Sequence, residues 1–453
     1  MTEFRKNEIY ESTVQGYTSE GDGVCRIDGR AVFVKGALMG ENIRVRILKD
    51  TKTVVYGRLE EILTPSESRI EPVCPVFSKC GGCVMQNADY EEELRFKKNK
   101  VDAALERIGG LTIKTDCIHG SEKIEGYRNK AIFAVGGEKG NAYCGFFRRH
   151  THDVTKADTC SIQAEYASRA ANAVTDWMNR NGITPYEEKT AGGVVRHVFA
   201  RYAFKTGEGQ VTVVVSKMPK YTDKLVDIII NACPETVSIV ININKTRGNT
   251  VLDGEFITLW GREYIEEELC GLRFRLSPRA FFQINRDQAE KLYNKAAEFA
   301  NLDKSMTVLD LYCGTGTITL RLAREAGKAI GAEIVPPAIE NAIENAANNA
   351  ITNAEFMCAD AAIAAEKLAE SGVKPDVVVV DPPRKGLDAR VIEIIAEMRP
   401  ERVVYVSCEP STLARDLKIF ASSGYETVRA EAYDLFPRTE HVETVVLMSR
   451  DKE

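Results

Sequence analysis

The chain has 453 residues, of which 44% are hydrophobic and 28% are charged, and its formal net charge is −6. At roughly 150 residues per domain this length predicts two or three domains, and the composition excludes a disordered or fibrous protein. No apolar run approaches the ~18 residues needed to cross a bilayer, and no apolar stretch follows the first charges, so we expect a cytoplasmic protein without a membrane partner.

The amino-terminal segment, residues 8–62, has the pattern of a small β-barrel. Its short runs alternate apolar and polar residues, and glycine-containing breaks separate them at turn spacing. Five-stranded barrels of this kind commonly bind nucleic acids. Because the whole protein is acidic, a nucleic-acid-binding site must be a local basic patch. Residues 26–58 contain eight Lys or Arg against three acidic residues. The excess of basic residues by itself is equally consistent with a basic surface that is only solvated and binds no nucleic acid.

Three cysteines lie close together in the loop that follows. Cys74, Cys80 and Cys83 occupy a Gly- and Pro-rich stretch, and twelve cysteines in the whole chain are too few for a disulfide scaffold. Three such thiolates suit iron–sulfur ligation, which needs a fourth ligand from elsewhere. Four cysteines suit zinc equally well, although this spacing differs from the paired Cys-x2-Cys of most zinc ribbons. The spacing therefore favours iron–sulfur, with zinc as the alternative.

The remainder of the chain shows two patterns. A helix is predicted over residues 90–108, ended by two glycines, and residues 118–275 predict a mixed α+β domain. From residue 306 onward, short apolar runs alternate with helix-length segments, which predicts βαβ units and a parallel sheet. The last two runs predict an antiparallel hairpin at the sheet edge. The predicted domains are residues 1–62, 63–274 and 275–453.

A glycine loop and a set of strand-end carboxylates predict a cofactor site. Gly314 and Gly316 follow a predicted strand and open a helix, where glycines let the backbone approach a ligand. The third glycine of a dinucleotide fingerprint is missing and no pyrophosphate cradle is present, which disfavours NAD. One acidic residue at the end of each of four successive strands is the layout expected for S-adenosylmethionine. These residues are Asp310, Glu333, Asp360 and Asp381.

Cys408 and Glu443 suggest a specific chemistry. Cys408 ends a predicted parallel strand just before a helix, where ligand sites lie and where the helix amino terminus is expected to lower the thiol pKa. Glu443 lies in a predicted strand, on the same face as His441. A thiolate that adds to uracil C6 makes C5 nucleophilic toward a sulfonium methyl group, and a base must then remove the C5 proton. Cys408 and Glu443 supply the nucleophile and the base.

Longer motifs are spread along nearly the whole chain. They are GDGVCRIDGRAVFVKGALMGENIRVRI, CGGCVMQ, GYRNKAIF, DLYCGTGTITL, DPPRKGL, VSCEPSTLARDL and FPRTEHVETVVL. In this order they resemble the RNA uracil-5-methyltransferase family, and the first resembles its TRAM domain, an RNA-binding barrel. The resemblance implies an α/β fold, with a Rossmann-like S-adenosylmethionine-dependent methyltransferase domain behind an OB-like β-barrel and a central α+β domain.

The resemblance also implies roles for individual residues. It makes Cys408 the nucleophile and Glu443 the base. Arg128 is a candidate RNA contact, and so is Phe281, although a core position is commoner for a single Phe. The implied S-adenosylmethionine contacts are Gln283, Tyr312, Thr317, Glu333, Asp360 and Asp381.

The resemblance further implies a [4Fe–4S] cluster, which the ribosomal-RNA branch of the family carries and the transfer-RNA branch lacks. Its implied ligands are Cys74, Cys80, Cys83 and Cys160. Asn87 departs from the His that many relatives carry, at a position that is not a proposed ligand.

The sequence therefore predicts a 23S rRNA (uracil-5-)-methyltransferase whose target uridine leaves its stack to reach the thiol. One rival is a transfer-RNA uridine-5-methyltransferase, against which the barrel and the cysteines argue. The other is a non-catalytic RNA-binding iron–sulfur protein, against which Cys408, Glu443 and the strand-end acids argue. No obligate protein partner is expected.

Overall fold

The described residues of the computed structural model form a closed barrel followed by two large sheets. Among these residues, no helix combines the length and the apolar character that crossing a membrane requires. The two ends of the chain, which belong to the first and last predicted domains, lie outside the described part. The described residues are 4–149, 151–246, 248 and 250–450.

The amino-terminal barrel has five strands, as predicted. They are β1 (Ile9–Tyr17), β2 (Gly23–Ile27), β3 (Arg30–Lys35), β4 (Asn42–Asp50) and β5 (Val55–Thr64). They pair in the order β1-β2-β3-β5-β4, and their inward-facing apolar residues form a small separate core. At Gly57 a Cβ would lie 2.2 Å from a Val45 methyl group, so close packing across the barrel requires glycine in β5.

The basic segment of the barrel is largely neutralised. Arg44 pairs with Glu11 and Glu61, and both Arg46 and Arg58 pair with Glu60. These three carboxylates lie outside residues 26–58, so a charge count over that window misses them. Arg30 additionally pairs with an acid inside the window. Four of the eight basic residues of this segment thus form ion pairs within the barrel, and these pairs lower its net positive charge.

The central part of the chain folds mainly into a seven-stranded sheet. Its elements are β7 (Lys130–Glu138), β8 (Asn141–Phe147), β9 (Val154–Lys156), α2 (Glu165–Asn181), β10 (Val195–Tyr202), β11 (Gly209–Val215), α3 (Thr222–Ala232), β12 (Thr236–Ile243) and β13 (Glu255–Gly261). The strand order is β13-β12-β11-β10-β7-β8-β9. Helices α2 and α3 cover one face and bury a continuous apolar core with it. The predicted mixed α+β character is confirmed.

The carboxy-terminal part consists of a separate two-stranded hairpin, formed by its first two strands, and a doubly covered, mostly parallel sheet. Its elements are β14 (Ile265–Leu269), β15 (Leu272–Leu276), α4 (Arg286–Ala300), β16 (Thr307–Leu311), α5 (Thr317–Ala323), β17 (Lys328–Glu333), α6 (Pro336–Asn348), β18 (Ala354–Cys358), α7 (Ala361–Glu370), β19 (Val377–Val380), α8 (Ala389–Met398), β20 (Arg402–Ser407), α9 (Pro410–Ser422), β21 (Tyr425–Tyr433) and β22 (Glu443–Arg450). Two apolar cores, one on each face, bury the central strands β16, β19 and β20 almost completely, whereas the edge strand β18 has no buried residue. Burial on both faces explains the continuous Val and Ile runs of the central strands.

Two elements from the middle of the chain join this sheet. Helix α1 (Tyr90–Ala104) ends in a short π-helical turn, and Gly110 stops it in a left-handed conformation with φ 67°. Strand β6 (Ile118–His119) pairs in parallel with β21. The sheet order is therefore β18-β17-β16-β19-β20-β22-β21-β6. The predicted terminal hairpin exists, but β6 covers its outer strand and forms the edge.

Candidate active site

Cys408 and Glu443 lie at the same end of the eight-stranded sheet. Strand β20 ends at Ser407 and β22 begins at Glu443, and in this antiparallel pair Ser407 is paired with Thr444. Cys408 and Glu443 are the next residues beyond this last pair, and the charge of Glu443 acts on the Cys408 thiol, so the two side chains lie near each other. Asp381 directly follows β19, which runs parallel to β20 and ends at the same side. Three distant segments thus meet at one point.

Burial changes the proton affinity of all three groups. Burial, followed by the charges of Glu443 and Asp381, raises the pKa of Cys408 to about 12. Burial also raises the pKa of Glu443 to about 8 and that of Asp381 to about 7. Arg384 opposes the rise at Cys408 and at Glu443. The predicted lowering of the thiol pKa is therefore wrong for the free protein, because desolvation and carboxylates outweigh the helix terminus.

We expect alkylation of Cys408 to reflect this raised pKa. At pH 7 the thiolate fraction is at least about 100-fold below that of an ordinary cysteine with a pKa near 8.5, so iodoacetamide should react slowly and faster as the pH rises past 9. In Glu443→Gln the neighbouring charge is absent, so alkylation at pH 9 should exceed that of the wild type, whereas at pH 6.5 the two should agree. Peptide mapping by mass spectrometry measures both rates, and equal rates at pH 9 would contradict the coupling.

The glycine loop lies at the carboxyl end of β16, beside two of the predicted carboxylates. Gly314 has a φ of 54°, and a Cβ there would meet nothing within 4 Å, so its face is open to a ligand. Its backbone N–H donates to Glu333 Oε2 at 3.2 Å. Burial, and then the charge of Asp360, raises the pKa of Tyr312 to about 12, with a smaller contribution from Glu333. Tyr312, Glu333 and Asp360 therefore lie near one another beside the glycine loop.

Two sequence expectations need correction here. Asp310 is not at the end of its strand, because β16 continues to Leu311. Its buried carboxylate accepts a hydrogen bond from the Thr319 hydroxyl, so it supports α5. His441 precedes β22 and is not on a strand face with Glu443. Three strand-end acids, rather than four, remain as predicted cofactor contacts.

The four predicted cluster ligands line one cavity. Its volume is about 490 Å³, including the part open to solvent. N–H groups point at two of the sulfurs: Gly82 N donates to Cys80 Sγ at 3.4 Å, and Gln86 Nε2 donates to Cys83 Sγ at 3.3 Å. Such contacts suit thiolates that hold a metal. The four lining cysteines are Cys74, Cys80, Cys83 and Cys160.

The spacing of these sulfurs distinguishes between possible metals. Within the described residues, no three of the four sulfurs lie within 4.8 Å of one another. A single tetrahedral zinc with Zn–S bonds of about 2.3 Å needs sulfurs about 3.8 Å apart. The cavity is therefore wider than one zinc ion requires, and it fits a larger group held by four thiolates better.

Comparison with known proteins decides the family. The family described as tRNA (Uracil-5-)-methyltransferase matches residues 89–451, and the TRAM domain matches residues 3–59. The chain belongs to the uracil-5-methyltransferase family of RNA-modifying enzymes. It is therefore an S-adenosylmethionine-dependent methyltransferase with a TRAM domain, as the sequence motifs predicted.

Relatives of this methyltransferase match along its whole length. It is 40% identical over 447 residues to an uncharacterized RNA methyltransferase of Clostridium tetani, covering 98% of this chain and 97% of the relative. It is 41% identical over 450 residues to one of Clostridium acetobutylicum, covering 98% of each. A similar solved structure is the Pyrococcus abyssi tRNA (uracil-54, C5)-methyltransferase in complex with S-adenosyl-L-homocysteine. The TM-score is 0.79 at 27% identity, over 97% of this chain and 99% of that one.

Tyr293 of the methyltransferase is a site residue that the sequence analysis missed. Its buried hydroxyl contacts the side chains of both Gln283 and Thr317, two of the predicted cofactor contacts. The charges of Asp381 and Glu443 also act on it. It thus ties the loop before α4 to the start of α5. Tyr293 lies on the buried face of an amphipathic helix and outside the recognised motifs, so the sequence gives no signal that distinguishes it from a core residue.

The predicted RNA contacts lie in different places. Arg128 is half-buried and lines the cysteine cavity, where its Nε donates to the Tyr127 hydroxyl at 3.3 Å. Phe281 is 64% exposed in the segment that also contains Gln283. Phe281 is therefore not a core aromatic. The structure does not bring the two residues into one contact.

A buried ion network supports the approach loop, which we define as residues 434–441 and which leads into Glu443. Lys97 of α1 is fully buried and donates to Glu93, to Asp434 and to the Phe436 carbonyl at 2.7, 2.7 and 3.1 Å. Glu93 in turn accepts from the Arg438 backbone N–H at 2.6 Å. Helix α1 thereby fixes the chain just before the proposed base.

The approach loop also contacts the cysteine loop. The N–H groups of Val84 and Met85, directly after Cys83, donate to the Arg438 carbonyl at 2.9 and 3.2 Å. The Tyr127 hydroxyl donates to the Pro437 carbonyl at 2.9 Å. The approach loop therefore contacts the cysteine loop on one side and leads into Glu443 on the other.

Replacing Lys97 with Met should remove the cation that buried Asp434 shares with Glu93, and Glu93 would keep only the Arg438 guanidinium at 3.6 Å. We expect a loss of about 3–5 kcal/mol of stability and weaker methyl transfer, because the approach loop loses its anchor. Lys98→Met is the matched control, since its partly exposed pair with Asp102 should be worth less than about 1 kcal/mol. Thermal unfolding of both variants tests this, and equal melting temperatures would show that the buried network is not stabilising.

Proposed function

We propose that this enzyme methylates C5 of uridine in 23S ribosomal RNA and gives 5-methyluridine. The observation that carries the reaction is the placement of Cys408 near Glu443, beside Asp381 at the end of the sheet. The preference for ribosomal RNA rests on the TRAM barrel and on the four-cysteine cavity, which the resemblance associates with that branch.

The proposed reaction uses the two groups in sequence. The thiolate of Cys408 forms a bond to C6 of the uracil, which makes C5 a nucleophile. Bound S-adenosylmethionine supplies the electrophilic methyl group. Glu443, as a carboxylate, then takes the C5 proton, the C5–C6 double bond re-forms and the bond from C6 to sulfur breaks. A pKa of about 8 suits Glu443 to this role, because it can hold and release a proton near neutral pH.

We assign the cofactor to the space around the glycine loop. Its open face at Gly314 and the nearby carboxylates suit a ribose and an amino group, which accept and donate hydrogen bonds. Tyr293 holds two of the residues in place. The proposed contacts are Gln283, Tyr312, Thr317, Glu333, Asp360 and Asp381.

We further propose that Cys74, Cys80, Cys83 and Cys160 hold a [4Fe–4S] cluster, with Zn²⁺ as the alternative. The convergence of four thiols and the width of the cavity support the cluster. Its role would be structural, since methyl transfer is redox-neutral. The shared contacts with the approach loop indicate how cluster loss would weaken catalysis.

RNA recognition is assigned to the barrel, residues 1–62, and to Arg128 and Phe281. The ring of Phe281 is exposed, and an exposed aromatic ring can stack on a splayed base. Because Arg128 lines the cysteine cavity, we expect it to act on RNA mainly by holding the cavity wall.

A transfer-RNA substrate is the second candidate. It is favoured by the Pyrococcus abyssi structure, which matches almost the whole chain and is described as a tRNA (uracil-54, C5)-methyltransferase. The two candidates share the chemistry and differ only in the RNA.

The deciding experiment measures methyl transfer from labelled S-adenosylmethionine to unmodified transcripts of 23S ribosomal RNA and to a transfer-RNA pool. We expect 5-methyluridine in ribosomal RNA, and fragment mapping then counts the sites. Label in transfer RNA alone would keep the mechanism and overturn the substrate. The absence of label in both, from folded protein with its metal content verified, would favour the non-catalytic RNA-binding alternative.

A further inference from the structure

Three side chains of metal-binding type converge at the outer edge of the eight-stranded sheet. We call Cys117, His119 and Glu431 the edge triad. Their ligand atoms all lie within 4.8 Å of one another. His119 Nε2 is 2.8 Å from Glu431 Oε2 and 3.2 Å from Cys117 Sγ. Strand β6 carries this edge, on the far side of the catalytic strands from the glycine loop.

The pairing of two short segments creates the edge triad. In the parallel pair of β6 and β21, His119 lies opposite Tyr433. Residues two apart on a strand share a face, so Cys117 joins His119, and Glu431 joins Tyr433, on one side of the sheet. The His119 ring stacks on Tyr433 with centroids 4.4 Å apart, which fixes its plane.

Both the Cys117 thiol and the Glu431 carboxylate of the edge triad approach the same ring nitrogen of His119. A proton on that nitrogen can donate to the carboxylate at 2.8 Å and leaves the sulfur in a longer, weaker contact at 3.2 Å. A metal ion at the common point would instead be bound by sulfur, nitrogen and oxygen together.

We infer that the edge triad is a Zn²⁺ site with an open fourth position. A cysteine thiolate, a neutral imidazole and a carboxylate are all established zinc ligands, and three of them with water complete a tetrahedron. On binding, Cys117 gives up its thiol proton to solvent as the Zn–S bond forms, and His119 binds through Nε2. No electron transfer is involved.

The surroundings of the edge triad suit such an ion. The Tyr433 hydroxyl donates to Glu431 Oε2 at 3.2 Å, and Lys295 and Arg429 lie 3.4 and 3.2 Å from Oε1. Partners of this kind orient a ligating carboxylate. The side chain of His119 is 38% exposed, whereas that of Glu431 is 4% exposed, so the site opens to solvent on one side.

Zinc at this position would fasten the edge strand. Strand β6 is only two residues long, and the His119 carbonyl accepts from the Asp434 N–H at 3.0 Å, at the start of the approach loop. The ion would therefore clamp the segment between α1 and the central sheet to β21. It would not touch the substrate.

The test measures zinc bound to the full-length enzyme as purified, with iron and zinc both counted per chain by mass spectrometry. We expect Cys117→Ser and Glu431→Gln each to hold one zinc fewer than the wild type and to bind added Zn²⁺ about 100-fold more weakly in calorimetry. Zinc should raise the melting temperature of the wild type and not that of the variants. The matched control is Cys358→Ser, which removes an exposed cysteine elsewhere.

The comparison between variants and wild type separates the edge triad from the cysteine cavity. Two outcomes would overturn the proposal. One is that zinc binds only to protein that has lost its iron. The other is that the wild type, Cys117→Ser and Glu431→Gln contain equal amounts of zinc. Melting temperatures in chelator verify that the variants are folded. Methyl transfer by folded Cys117→Ser should stay near the wild-type rate, which a defect in the catalytic site would not allow.

Discussion

Cys408→Ala is expected to lower methyl transfer by at least about 10⁴-fold while leaving RNA affinity within a few-fold of the wild type. Without the thiol, C5 of the uracil remains a poor nucleophile, and no other group at the sheet end can add to C6. Cys408 lies in the turn between β20 and α9, so its truncation removes little core packing. Labelled-methyl transfer and filter binding to the same RNA measure the two effects separately.

The control for this variant is Cys358→Ala, which changes an exposed cysteine on β18 and should keep full activity. A Cys408→Ala enzyme that still methylates at more than a few per cent of the wild-type rate would exclude covalent catalysis by this thiol. Loss of RNA binding together with activity would instead indicate that the variant is misfolded, which its melting temperature would show.

The sheet and its cofactor loop could be predicted because their signals are local. Alternating apolar runs and helix-length segments specify βαβ units, and the strand ends follow from where each run stops. Gly314 and Glu333 were placed in this way, and the structure brings them together. Asp310 lies one residue before the end of β16, and its buried carboxylate accepts a hydrogen bond from Thr319, so the run of apolar residues alone predicts its position only approximately.

Other parts of the site depend on contacts between distant segments. The pairing of Ser407 with Thr444 brings Cys408 and Glu443, the proposed nucleophile and base, to the same end of two neighbouring strands, and no local pattern specifies which strand is the neighbour of β20. The same holds for β6, whose two residues are too short for any periodicity. Lys97, in the middle of a charged helix, reads as solvent-exposed, and only the approach loop packed over it makes it buried.

The raised pKa of Cys408 could also not be predicted from the sequence. A helix amino terminus at Cys408 predicts a lower thiol pKa, but burial and two facing carboxylates reverse the sign. With burial and two neighbouring carboxylates all raising its pKa, the thiol form of Cys408 predominates in the free protein near neutral pH.

Glu443→Gln should trap the enzyme on its substrate. The amide cannot accept the C5 proton, so after methyl transfer the C5–C6 bond stays saturated and the sulfur of Cys408 cannot leave. We expect turnover to fall by about 10³-fold or more, with a covalent protein–RNA adduct that survives denaturing electrophoresis and carries the labelled methyl group. Glu440→Gln, which changes a neighbouring acid of the approach loop, should turn over and leave no adduct.

The same substitution should stabilise the free enzyme, and this distinguishes a catalytic defect from damage. The folded-state pKa of Glu443, about 8, lies above the 4.5 of an ordinary Glu, so the folded protein retains a proton that the unfolded chain loses. The stability that this protonated group contributes is complete below about pH 4.5 and is lost as the pH rises toward 8, by roughly 5 kcal/mol at most. Glu443→Gln should therefore melt higher than the wild type at pH 8.5 and at a similar temperature at pH 5. A lower melting temperature at pH 8.5 would mean that Glu443 is ionised and paired in the free enzyme, and normal turnover by the variant would exclude it as the base.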